Sequence, residues 1–415
     1  MQKFLTSERY FFTILTIFNL ILRTSRLNSP QFTYFDEKNF FVPAANNILK
    51  NGIDPEFTLP TFGKMIIALG IKLFGNNYLG WRLPSVIFTT ITCLIIYFFA
   101  KKLFGGRFIP AMASIIFTFE TAWFVHSRIA LLEVFLSTFV VAGFYFLWLY
   151  LENNNCKDFI LAATFFGLGL AVKWSAAFPI ITAVLVLFIF KKTKIGYKAK
   201  LAAALISLPI VIYFLSYTPL VIKTNFQRFL SLNQKMWQFH TVWIPYNFEK
   251  VAPPYIPKFD YVHNIFNNPS SWILNKPITY LEEVNSMDVK EILFIFNPIT
   301  FWPGLLLIIF SFVKGIQTRN KKLIYLFLIF ASSYIPWFFS PRFSIPYYLL
   351  FGITALIINL AYYINLVRKK SPIFAYLYIG LIILTFCLFY PVISFSEVKI
   401  SYLTKLTSIW GLPVY

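Results

Sequence analysis

Acidic residues are scarce in this chain: 16 Asp and Glu stand against 37 Lys and Arg in 415 residues, and charged residues of both signs make up only 13%. A soluble domain carries about 25% charged residues, so most of this chain belongs in lipid. Cysteine is nearly absent. Cys93, Cys156 and Cys387 make no disulfide framework and no metal-ligand spacing, and none of the three histidines has a second His or Cys at metal spacing, so no zinc site is expected. A GxSxG elbow, a phosphate-binding glycine loop and a dinucleotide fingerprint are also missing. The alternating segments of about ten residues that a transmembrane barrel needs are absent. So is an internal repeat of the kind that secondary transporters carry.

What the chain has is apolar: 58% hydrophobic and 20% aromatic residues, with a mean hydropathy of +0.67. Runs of about 17–25 apolar residues recur, the length that crosses a bilayer as a helix. In lipid the backbone must satisfy its own hydrogen bonds, so an all-α polytopic membrane protein is expected. Spans fall near 10–24, 81–100, 108–126, 130–150, 158–172, 174–190, 201–221, 294–313, 322–340, 344–366 and 372–394, about eleven in all. The first lacks a small-residue cleavage site and reads as a retained span.

The net charge of +21 would suggest nucleic acid in a soluble protein. Here the basic residues instead mark loops. Lys101, Lys102 and Arg107 form one cluster, Lys191 to Lys200 a second, Lys314 to Lys322 a third, and Arg368 to Lys370 a fourth. The span order puts all four on the side of the N-terminus, which should be cytoplasmic. Most acids fall opposite, from Asp36, Glu37, Asp54 and Glu56 to Glu282, Glu283, Asp288 and Glu291. Two outer loops are long, 25–80 and 222–293, and rich in aromatics. They divide the chain into a membrane module 1–221 that includes the first loop, the loop 222–293, and membrane helices 294–415. Lys64 to Phe74 reads as an interfacial amphipathic helix within the first loop.

Several side chains could carry chemistry. Asp36 and Glu37, in YFDEKNF, read either as an acidic turn with Asp36 capping a helix or as a general base with a neighbour that tunes it. Arg128, in HSRIALLE, is costly at a membrane boundary without an anion. Its partner is Glu120, Glu133 or a ligand phosphate. Lys173, in AVKWSA, reads most simply as a snorkelling lysine beside Trp174. Arg342, in SPRFSIPYY, reads as a boundary anchor or a phosphate ligand, with Tyr347 and Tyr348 after it in an aromatic belt or a sugar platform. His240, in the second loop, has no second His or Cys at metal spacing and reads as structural.

The order of these strings resembles the protein O-mannosyltransferases, membrane-embedded glycosyltransferases of the GT-C fold that use a polyprenyl-phosphate sugar. The family's acidic pair corresponds to Asp36-Glu37 and its HPPLGK-like string to TLPTFGK, Thr58 to Lys64. GWRLPS, Gly80 to Ser85, SRIALLE, Ser127 to Glu133, and KWSA, Lys173 to Ala176, follow. Gln234, Met236 and His240 match a pattern of the large loop with one residue fewer between the first two. WILNKPITY and YIPWFFSPRFSIPYY complete the series. The chain departs from the family at Thr58 and Leu59, which replace His-Pro, at Glu133 in place of Asp, and at Lys276 in place of Arg. Its large loop is too short for a β-trefoil insertion.

The resemblance implies transfer of mannose or a related hexose from a polyprenyl-phosphate carrier to Ser/Thr hydroxyls of proteins, with inversion, at the outer face of the cell membrane. Asp36 is the expected base, with Glu37 beside it. Arg128, Arg342, Lys64 and His240 are expected at the donor phosphate, and Glu133, Trp237 and Tyr347 at the sugar or acceptor. No metal, nucleotide or other cofactor is expected, nor nucleic acid as a partner. A sister enzyme acting on a lipid or wall polymer shares all of these features. A flippase of lipid-linked sugars would need acids inside its spans.

Overall fold

Asparagine starts many of the helices. The side chains of Asn77, Asn155, Asn225, Asn297 and Asn320 each accept a backbone N–H in the first turn of the helix that follows, closing donors that no helical carbonyl reaches. Glycine or asparagine in the left-handed region ends others, at Gly52 and Asn154. The computed structural model describes residues 8–31, 36–243, 268–285, 287–340 and 344–408.

Seven of the described helices are long and apolar enough to cross a membrane: Tyr78–Phe104, Leu132–Asn153, Ile195–Lys223, Pro298–Gln317, Lys321–Phe339, Pro346–Lys370 and Pro372–Ile393. Shorter apolar helices are Tyr10–Thr24, Phe108–Thr118 and Trp174–Phe190, and Cys156–Val172 is a further helix. The expected segments are thus helical, but four of them fall short of the length or apolarity of a full span. The protein is a multi-pass membrane protein. Leu132–Asn153 and Pro346–Lys370 run through the centre, 78% and 72% of their apolar windows being buried, whereas Ile195–Lys223 and Pro372–Ile393 bury only 28%. The last two present apolar faces outward, as lipid-facing helices do.

The first outer segment folds back onto the bundle. A π-turn Glu37–Phe41 leads into helix Val42–Asn51, and helix Phe62–Phe74 follows. The latter buries Gly63, Lys64, Ile67, Ala68, Gly70 and Ile71 on one face and exposes Leu69, Leu73 and Phe74, as an amphipathic helix should. Gly70 allows its close approach to helix Tyr78–Phe104, because a Cβ there would overlap the carbonyl of Gly80.

The expectation of an all-α chain needs one correction. Strands β1 (Ile278–Asn285), β2 (Asp288–Phe294) and β3 (Glu397–Lys399) form an antiparallel sheet in that order. The two longer segments carry β-branched and aromatic residues across a tight reversal, a signal that apolar runs of span length obscured. The register pairs Ile278 with Phe294 and Val284 with Val289, with an irregularity between Thr279 and Leu281.

Candidate active site

Glu37 is fully buried and held from three sides. Arg82 grips it in a fork, Nε to Oε1 at 3.0 Å and Nη2 to Oε2 at 2.9 Å, and the backbone N–H of Ala130 donates to Oε1 at 2.7 Å. Arg82 Nη1 donates in turn to the carbonyls of Leu27 and Pro30, at 2.8 and 2.9 Å. Bidentate pairing of this kind fixes geometry as well as charge. Glu37 is therefore an anchor, contrary to its expected place beside the reacting atoms. Its backbone holds Asp36 at the lip of the π-turn.

Asp36 itself is partly exposed. It caps nothing: its backbone is helical and its side chain accepts no capping bond. Burial, then the nearby Glu133, push its carboxyl up to about 7, with Lys173 opposing. The structural alternative of a capping aspartate fails, and a carboxylate with a proton affinity near neutrality stands in its place.

Around Asp36 lie residues from distant segments. Lys173 donates to Glu133 Oε1 at 2.6 Å, both buried, and its Nζ lies 4.2 Å from the centre of the Tyr348 ring and 5.8 Å from that of Tyr347. It is no snorkelling lysine. Glu133 Oε2 has no hydrogen-bond partner among the described residues, and Glu133 lines a crevice with Ser137, Ser175, Trp337, Tyr347 and Tyr348. His126 is buried, with Nδ1 3.0 Å from the carbonyl of Ala122. A carbonyl only accepts, so Nδ1 carries the proton and Nε2 is left as acceptor. The Tyr280 hydroxyl faces that nitrogen at 3.4 Å. Burial, then Glu133 and Asp36, hold the Tyr280 phenol well above its ordinary value, so Tyr280 remains a donor. Tyr347 packs against His126, ring centres 5.3 Å apart.

Lys64 serves a different purpose from the one expected of it. Its ammonium contacts Asp54 Oδ2 at 2.6 Å and Glu56 Oε2 at 2.8 Å, and donates to the carbonyls of Glu56 and Leu59 at 2.7 and 2.9 Å. It is buried and saturated, so it shapes the loop before its helix and has no donor left for a phosphate. Lys64→Gln should destabilise the protein by about 3–5 kcal/mol, because two buried carboxylates lose their counter-charge. Removal of a phosphate ligand would instead raise the KM for donor with stability unchanged, so chemical unfolding beside kinetics separates the two roles. His240 Nε2 donates to the carbonyl of Thr58 at 2.7 Å, clasping the second outer segment to this loop. Trp237 is exposed and sits 6.5 Å from Trp174, centre to centre.

Arg128 is buried but is not among the charges that act most strongly on Asp36. Neither acid expected to pair with it does so. Glu120 caps helix Thr121–His126 and accepts from the N–H of Asn297 at 2.9 Å, and Glu133 belongs to Lys173. Arg342 lies outside the described residues. Of the groups around Asp36, Arg82, His126, Lys173 and Tyr280 were not singled out as functional from sequence. Arg82, Lys173 and Tyr280 did stand in strings that matched the family, whereas His126 comes just before one; for Arg82 and Lys173, a basic residue in an apolar setting with few acids in the chain to choose from was the available signal.

A multi-pass helical membrane protein, with a carboxylate of raised proton affinity at the rim of the bundle, is the class defined by fold and site. Residues 59–217 match the family described as Dolichyl-phosphate-mannose-protein mannosyltransferase. The polyprenol-phosphate-mannose–protein mannosyltransferase of Corynebacterium glutamicum is 23% identical over 407 residues, covering 81% of this chain and 78% of that one. Its namesake from Mycolicibacterium smegmatis is 32% identical over 178 residues, 39% of this chain and 34% of that one. Among solved structures, the Saccharomyces cerevisiae protein O-mannosyltransferase Pmt1-Pmt2 complex bound to the sugar donor superposes with a TM-score of 0.78 at 12% identity, over 96% of this chain and 92% of that chain. That likeness is one of fold.

Proposed function

We propose that this protein transfers mannose from a polyprenyl-phosphate carrier to Ser/Thr hydroxyls of protein at the outer face of the cell membrane, through eleven crossings with the basic loops in the cytoplasm. The observation that carries the reading is Asp36, an uncapped, partly exposed carboxylate pushed up to about 7 and flanked by a buried Lys173–Glu133 pair. In the reaction Asp36 takes the proton of the acceptor hydroxyl. That oxygen bonds to C1 of the sugar as the bond from C1 to the phosphate oxygen breaks, and the polyprenyl phosphate leaves with the electron pair. Attack opposite the leaving group inverts the anomeric centre. The leaving phosphate needs positive charge more than a proton. Lys173 supplies charge near Asp36, and Arg342 is the further candidate, since its segment joins two elements, Ile335–Phe339 and Pro346–Leu349, that contribute Trp337 and Tyr347 to the crevice. Glu133 Oε2 and Tyr347 are placed to meet sugar hydroxyls, and Trp237 an acceptor segment.

The direct test incubates purified protein with polyprenyl-phosphate-mannose and a Ser/Thr-rich peptide, and separately with a lipid acceptor. Mannosylated peptide is the expected product, and transfer to the lipid alone would give the reaction to a sister enzyme of the same fold. The pH profile gives a second check. Base catalysis requires ionised Asp36, so kcat/KM should rise about tenfold per pH unit below about 7 and level off above it. A profile flat from pH 5 to 8 would remove the carboxylate from this role.

A further inference from the structure

We infer that Arg128 forms an anion site of its own, apart from the chamber of Asp36, which takes the phosphate of a net-anionic lipid headgroup or free phosphate. The Arg128 guanidinium is buried yet makes no ion pair among the described residues. Nη2 donates to the carbonyl of Arg26 at 2.6 Å, the face lies 5.0 Å from the centre of the Phe124 ring, and Nη1 has no hydrogen-bond partner among the described residues. It lines a narrow crevice with Ser29, Pro30, Arg82, Ile292 and Ser394. None of these lines the crevice of Glu133 and Tyr347.

Charge makes the case. Arg26 and Arg82 both repel Arg128, and what favours its charge is the hydroxyl of Tyr390, which accepts a hydrogen bond from it but is no carboxylate. The nearby carboxylate, Glu37, is already gripped by Arg82 and Ala130. A buried guanidinium without a counter-anion carries an uncompensated desolvation cost, and the orphaned Nη1 marks where an acceptor oxygen would sit. Phosphate suits the place: it brings several acceptors and at least one negative charge, and guanidinium binds it in a fork. The crevice has room for a group of about the size of one water molecule, so a phosphate would reach Arg128 by one oxygen with the rest of the headgroup outside. Its other wall is Arg82, whose fork holds Glu37 and through it Asp36, so an occupant of this site also steadies the turn that carries the base.

The test uses full-length protein in neutral detergent, stripped of lipid, at fixed chloride concentration, and follows thermal unfolding. Phosphatidylglycerol should raise the melting temperature saturably, and zwitterionic phosphatidylcholine should not. Inorganic phosphate decides the source: an equal gain assigns the site to free phosphate, and no gain assigns it to a lipid headgroup. Arg128→Gln should erase the gain, Arg128→Lys should keep part of it, and Asp36→Asn should keep all of it. Should Arg128→Gln fail to fold, Ser29→Phe, which fills the crevice from a partly exposed position, should erase the gain in its stead. Wild-type protein that responds to no anionic addition overturns the inference. An undiminished gain in Arg128→Gln does the same, as does a gain lost in Asp36→Asn, which would put the anion at the reacting centre. Because unfolding is measured without any transfer, failure here is distinct from failure of the mannosyl-transfer reading.

Discussion

Asp36→Asn should lower kcat/KM by about 10²–10⁴-fold, the range supplied by a positioned general base, while polyprenyl-phosphate-mannose still binds. Asparagine keeps the shape of the side chain and removes its ability to take a proton. The same variant should be more stable than the wild type above neutrality. Folding raises the Asp36 carboxyl from 3.8 to about 7, so the folded state holds a proton that the unfolded chain releases at lower pH. Stability is therefore lost progressively as pH climbs from about 4 to about 7 and stays lost above it. A shift of that size corresponds to a ceiling of about 4 kcal/mol. Asp36 as a residue is only partly buried, so solvent screening reduces the realised gain to the order of 1–2 kcal/mol. At pH 4 the variant and the wild type should unfold alike, and at pH 8 the variant should unfold later. An inactive variant of unchanged stability at pH 8 would argue against the desolvated environment, and an active one against the base.

Arg82→Ala should destabilise the protein by about 3–5 kcal/mol. It strips the counter-charge from fully buried Glu37 and frees the carbonyls of Leu27 and Pro30. Arg82→Lys retains charge but cannot reproduce a fork to two carboxylate oxygens and two carbonyls, so it should recover only part of the loss. The double variant Arg82→Met with Glu37→Leu removes both charges together and should unfold at higher denaturant than Arg82→Ala. It should nevertheless transfer poorly, since the π-turn that presents Asp36 loses its tether. Equilibrium unfolding and single-turnover transfer, measured side by side, check both halves. Full activity in Arg82→Ala would show that Asp36 is placed by something else.

The helices were legible because long apolar runs have one stable solution in lipid, and Asp36, whose role as base is our proposal, drew attention because acids are scarce in this chain. Pairings were harder. Glu37 was expected beside the base and Lys64 at the donor phosphate, yet both lie in buried ion pairs, with Arg82 and with Asp54 and Glu56, because those partners lie on a neighbouring helix or earlier in the loop and linear spacing does not reveal them. Lys173 erred the other way: the Lys-Trp dipeptide at a span end is what a snorkelling side chain looks like, and only packing against Glu133 and Tyr348 separates the two. His126 and Tyr280 stand 154 residues apart. The sheet escaped because β1 and β2 lie beside apolar runs of span length that dominate the pattern, and β3 comes from beyond the last long apolar helix.

That last strand has a reach beyond its size. Residues 397–399 pair with β2 from Asp288 to Lys290, and β2 sets the register of β1, which bears Tyr280. A chain shortened before residue 397 would keep every long apolar helix and every acid discussed above, yet leave the hairpin hinged on one side only. The tail would then act as a remote tensioner on the tyrosine that faces His126, and enzymes trimmed there for crystallisation or display should turn over slowly despite normal insertion and yield.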